Sequence, residues 1–169
     1  MKDTTPIYFH SATYAHEHGE LDQYHASHKA NIACREAIEQ AIADNYRDNR
    51  LGPACVQQVL QQFDYGRIFY VLANTVRQKD HDGRISRDNK AWAQMVPVCE
   101  DKDGFGYDRS VYFVVDRCNP GLTDLFLSQA RRECTPVQEQ KPSVRDSLNK
   151  NAGQQAHSDR TKAKKEPER

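Results

Sequence analysis

The chain has 169 residues, with 24 lysines and arginines balanced by 24 aspartates and glutamates. That length fits one domain with an appendage, and the balance excludes the strong basic field of a general nucleic-acid binder. Five widely spaced cysteines with no CxxC pair exclude a zinc knuckle and a disulfide framework.

The opening MKDTTPIYFHSATYAHEHGE has no apolar signal core, and no run approaches the roughly 20 apolar residues of a membrane span. A cytoplasmic protein with reduced thiols is the expectation. Residues 11–18 predict a short helix, with Ser11 as its N-cap and Gly19 at its stop. A long helix follows over about 20–46. Leu21, Tyr24, His28, Ile32, Ile38, Ile42 and Tyr46 form its expected apolar stripe, with Arg35, Glu36, Glu39 and Gln40 turned away.

The run 49–53 breaks that pattern, and Pro53 suits the first turn of a third helix. Ala54, Val56, Val59, Leu60 and Phe63 supply its apolar face. Asp64 then caps the segment from Tyr65 to Gln78. This segment is rich in β-formers, yet Ile68, Val71, Leu72, Thr75 and Val76 recur at helical spacing. Its length also exceeds that of a typical strand, so a helix is expected.

Next comes KDHDGRISRDNKAWA, which holds the single tryptophan, Trp92. Asp82-Gly83 predicts a turn with glycine at positive φ, Ser86 a cap, and 87–95 a short helix with Asp88 in its first turn. Ser110 to Asp116 is the best strand pattern, with 95–99 as its expected partner. A last helix opens at Asn119-Pro120 and buries Leu122, Leu125, Phe126 and Ala130.

After Cys134 the aromatics vanish. Residues 135–169 carry eight basic and five acidic residues, so this segment is about +3. The 16 basic and 19 acidic residues before it give about −3. The predicted organisation is a globular domain over 1–134 and a disordered polar tail over 135–169. The expected fold class is α+β, mostly α-helical: a bundle of about five helices with a small two-stranded sheet. The acidic body suits a basic partner such as a nucleic-acid-binding protein.

His16, His18, His25 and His28 raise the question of a metal. His16 and His18 lie two apart and diverge on a helix, so packing or surface histidines are the better reading. Asp80, Asp82, Ser86 and Asp88 resemble a loose oxygen cage. An EF-hand counted from Asp80 would need a later glycine than Gly83 and a glutamate where Ala91 stands. Cys34 beside Arg35 reads as a small buried thiol. There is no nucleophile elbow, P-loop or dinucleotide fingerprint. The expectation is therefore a protein that is not an enzyme and has no metal or cofactor. The alternative enzymatic reading would use Asp80, His81 or Asp82. The surface expected to meet a partner is the mixed-charge rim Asp80, Asp82, Arg84, Arg87 and Lys90, with Tyr107 beside it. A solvated helix start is the other reading of the same residues.

Three ordered blocks carry a resemblance: SATYAHEHGELDQYHASHKANIACREAIEQAI, YVLANTVRQKDHDGRISRDNKAWA and the strand followed by NPGLTDLFL. Over about 5–130 they resemble an uncharacterised domain family carried by conjugative elements and phages of Gram-positive gut bacteria. KPSVRDSL in the tail resembles segments that join domains in large polyvalent proteins of those elements. The resemblance implies a counter-defence role: binding and inhibiting a host defence nuclease, such as a CRISPR effector of the Cas9 type. It carries over no catalytic residue. The alternative is a nucleic-acid-associated accessory of conjugative transfer that touches DNA through the basic tail.

Overall fold

A computed structural model gives the fold and describes residues 1–99 and 121–135. Six helices and one hairpin follow in chain order among the described residues. They are α1 (Ala12–Glu17), α2 (Leu21–Asn45), β1 (Tyr46–Arg47), β2 (Arg50–Leu51), α3 (Cys55–Leu60), α4 (Tyr65–Gln78), α5 (Arg87–Met95) and α6 (Gly121–Cys134). The described residues are thus mostly helical with a small antiparallel two-stranded sheet, the expected α+β class.

Three predicted caps close as expected. Ser11 Oγ accepts the Tyr14 N–H at 3.2 Å, Asp64 Oδ1 the Arg67 N–H at 2.9 Å, and Ser86 Oγ the Asn89 N–H at 3.3 Å. Each is worth about 1 kcal/mol. Gly19 stops α1 at φ 70°. Gly83, by contrast, is not at positive φ. The Asp82 carboxylate makes that turn instead, accepting the Arg84 N–H at 2.9 Å.

The ambiguous segment 65–78 is a helix because it is central. Its side chains from Arg67 to Val76 are buried, Phe69 excepted. It packs against α2, α5 and α6. A helix enclosed this way buries most of its circumference. Its β-branched residues therefore reflect burial, and tertiary packing overrides their local preference.

The expected stripe on α2 is corrected along much of its length. Ile38 and Ile42 are buried, but Leu21, Tyr24, His28, Ile32 and Tyr46 are only half-buried. The buried face is Ser27, Ala30, Asn31, Cys34, Ile38, Ala41 and Ile42. Its first half is small and polar because it receives a charged side chain, Arg67, from α4. Ala54 is an exposed N-cap, and Cys55 takes its place inside; Pro53 stands before the helix, outside its first turn. On α6, Leu125 is 44% exposed, while Thr123 and Leu127 join Phe126 and Ala130 inside.

The described sheet lies where no strand was expected. Tyr46 pairs with Leu51 and Arg47 with Arg50 across a two-residue turn. Asp48 and Asn49 sit there at φ 51° and 60°, a pair of left-handed positions that suits a tight hairpin. Gly52 N–H closes the hairpin on Asn45 O at 2.8 Å, and a Cβ at Gly52 would come within 3.2 Å of that oxygen. Met95 belongs to α5 rather than to a strand. The 110–116 strand, the Asn119-Pro120 helix start and the 135–169 tail (Thr135 apart) lie outside the described residues.

One core joins α2, α3, α4, Ile85, Ala93 and α6. Cys34 and Cys55 lie in it with no exposed surface. Burial pushes the Cys34 thiol far up and the Cys55 thiol up to about 12. Both stay protonated in the fold and ionise more readily once unfolded. The contribution of Cys55 to stability is therefore full below about pH 8.5 and drains away as pH rises toward 12. At pH 8, a thiol reagent followed by peptide mass mapping should modify Cys99 and Cys134 first, with Cys34 and Cys55 reacting only in urea. Equal labelling of these four would contradict this packing.

Candidate protein-recognition surface

The rim between α4 and α5 is held from several sides. Arg84 folds back on Asp82, donating Nε–H to Oδ1 at 3.1 Å and Nη2–H to Oδ2 at 2.9 Å. The Arg84 side chain and its backbone N–H hold the Asp82 carboxyl well below the usual carboxylate range. Asp82 is thus spent on the turn. Asp80, His81, Arg84 and Arg87 are exposed, and Lys90 is half-buried. Tyr107 lies outside the described residues. The structure therefore brings Asp82 and Arg84 into contact and leaves Asp80 and Arg87 facing solvent.

Beneath the rim is a polar knot absent from the sequence reading. Asn89, 1% exposed, donates from Nδ2 to Asp124 Oδ1 at 2.7 Å and to Ser128 Oγ at 2.9 Å. Its Oδ1 accepts Arg131 Nη1–H at 2.7 Å. The Ser86 N–H also reaches Asp124 Oδ1, at 2.9 Å. The Arg131 guanidinium lies 5.7 Å from the Trp92 ring centroid, and Trp92 meets Phe69 edge-on at 5.2 Å. At the far end of α5, Arg77 donates to the carbonyls of Ala93, Gln94 and Val96 at 3.0, 3.2 and 3.0 Å. These carbonyls are the ones a helix end leaves unpaired. The one available signal was spacing: Asn89 shares a helical face with Trp92 and Ala93, so its amide had to point inward.

The histidines are organised by tyrosines. Tyr14 is stacked between His10, at 4.1 Å and 22°, and His18, at 3.8 Å and 16°. His18 Nδ1 sits 2.9 Å from Tyr14 O, which fixes the ring. Tyr8 meets His10 and Tyr24 edge-on, and Tyr24 in turn contacts His25 and His28. Among the described residues no group of three or more His, Cys, Asp or Glu could hold a metal ion. Asp80, Asp82, Ser86 and Asp88 form no such cage there. No helix among the described residues is long and apolar enough to cross a membrane.

The residues before α1 lie along the bundle as a strap. The Asp3 N–H donates to Gln62 O at 2.7 Å, the Tyr8 N–H to Ser27 Oγ at 2.9 Å and the Tyr8 hydroxyl to Glu20 Oε2 at 2.7 Å. Phe9 packs edge-on to Tyr70 at 5.6 Å. Arg67 Nη2–H donates to Thr5 O at 2.6 Å, while Nη1–H serves Ser27 O and Oγ, each at 3.2 Å, and Asn31 Oδ1. All of these acceptors are neutral, and burial lowers the Arg67 pKa.

Residues 7–135 match a family described as "Protein of unknown function (DUF3849)". No curated protein matches the chain, and no solved structure does.

Proposed function

The chain belongs to the DUF3849 family, and from that premise we propose that it is a non-enzymatic counter-defence protein encoded by a mobile element or phage. It binds a host defence nuclease, such as a CRISPR effector of the Cas9 type, and blocks a surface that the nuclease needs for nucleic acid or for movement. The observation behind this reading is the rim. Asp80, Arg84 and Arg87 stand exposed on a turn fixed by Asp82, Asp124, Asn89 and Arg77. Charges on a rigid mount lose little entropy on docking, and they steer association and set register. Family resemblance supplies the mobile-element context.

Co-purification with a panel of CRISPR and restriction nucleases, paired with cleavage of a target plasmid, tests the reading. A stable complex that protects the plasmid is expected. The double variant Asp80→Lys/Arg87→Glu should weaken that complex at least about tenfold, or about 1.4 kcal/mol, with unchanged thermal unfolding. No complex and no protection with any nuclease sinks the proposal. Direct DNA binding with a steep salt dependence, lost on deleting 135–169, would favour the conjugative-transfer reading instead.

A further inference from the structure

From Asp3 to His28 the sequence holds no lysine and no arginine. The same stretch holds Asp3, Glu17, Glu20 and Asp22, five histidines and three tyrosines. Folding gathers seven of these eight rings into the connected band His18, Tyr14, His10, Tyr8, Tyr24 and His28, with His25 at its side. His18 ends the stack: its ring is anchored, the residue is exposed, and Tyr14 is its one ring neighbour among the described residues.

Tyr8 belongs both to this band and to the wall of a cavity of about 390 Å³ between the strap and α2. Pro6, Ile7 and Ala26 give that cavity apolar sides, and Asp22 gives it a carboxylate. Glu20 is engaged by the Tyr8 hydroxyl. Glu17 and Asp22 are exposed.

We propose that this face docks an arginine-bearing surface of a partner protein, with one arginine side chain seated in the cavity. The inference deepens the counter-defence reading by naming the partner's chemistry at a second face. An arginine carries an apolar stem, which suits Pro6, Ile7 and Ala26, and a planar cation, which suits Asp22 and the Tyr8 ring. Neighbouring arginines stack on the exposed end of the His18–Tyr14–His10 pile. Lysine matches the charge but is not planar, so it stacks poorly. Nucleic acid is disfavoured, because the stretch sets four carboxylates and no lysine or arginine against its phosphates. Nucleases carry arginine for those phosphates, which is why such a face fits that partner class.

The probes are fluorescent nona-arginine and nona-lysine peptides, titrated into the full chain at fixed salt. The arginine peptide should bind at least about tenfold more tightly than the lysine peptide. Ala26→Leu, which fills the cavity, and Asp22→Asn should each weaken the arginine peptide several-fold without changing the circular dichroism or the melting temperature. His18→Ala should narrow the preference for arginine over lysine. Equal affinity for the two peptides overturns the proposal, since charge alone would then explain binding. Indifference to both Ala26→Leu and Asp22→Asn overturns it as well. A chain that keeps the arginine preference but binds no nuclease removes the counter-defence reading and leaves this face standing. A nuclease complex formed without any arginine preference does the reverse.

Discussion

Arg67→Ala lowers the free energy of unfolding by about 3 kcal/mol, measured by urea denaturation with circular dichroism. The figure follows from what is stranded. Thr5 O and Asn31 Oδ1 lose their donor, and Asn31 is 4% exposed, while Ser27 O keeps its bond within the helix. A buried acceptor left unpaired costs about 1–3 kcal/mol. The removal also gives something back, because a desolvated cation with only neutral acceptors is itself expensive. The net loss therefore falls short of the sum. Arg67→Lys should recover part of it, since one ammonium cannot span acceptors that a guanidinium fork reaches together. The strap reports the same event: the Tyr8 amide should exchange with solvent much faster in Arg67→Ala. A variant that loses less than about 1 kcal/mol and keeps Tyr8 protected would show that the clamp is dispensable.

Asn89→Ala costs about 2–3 kcal/mol and loosens the rim. Asn89 uses both ends of its amide, giving to Asp124 and Ser128 and accepting from Arg131. Its removal takes a hydrogen bond from each of the half-buried Asp124, Ser128 and Arg131 on α6 and lets Arg131 drift from Trp92. Trp92 is the only tryptophan, so its fluorescence reads the change directly. A double-mutant cycle with Asp124→Ala should give a coupling energy above about 1 kcal/mol. Strict additivity would mean that the two residues stabilise the fold independently. Nuclease binding, where found, should fall in Asn89→Ala although no rim charge has changed.

The sequence carried the helices more legibly than their faces. Ser11, Asp64 and Ser86 each announced a helix start through a local hydrogen bond that a few residues determine. The length of 65–78 decided correctly between helix and strand. The inner face of α2 was hidden because Ser27 and Asn31 are polar, and a polar residue goes inside only where a distant partner receives it. That partner is Arg67, 40 and 36 residues away. The hairpin was missed although Asp48 and Asn49 both tolerate positive φ, because two-residue strands leave no alternation to read. Gly83 misled in the opposite sense: the Asp82 carboxylate made its turn without needing a left-handed residue. The rim charges were found as composition. The knot beneath them was not, since Asp124, Ser128 and Arg131 meet Asn89 only in three dimensions.

Helix α2 joins two different kinds of interior along one rod. Toward its start, Ser27 and Asn31 are stitched by directional bonds to Arg67; toward its end, Ile38, Ala41 and Ile42 sit in the apolar core. Apolar burial weakens on cooling, whereas hydrogen bonds do not share that dependence. Cooling therefore weakens what holds the far half more than what holds the near one. A single continuous helix thus changes the temperature dependence of its anchoring from the strap to the hairpin.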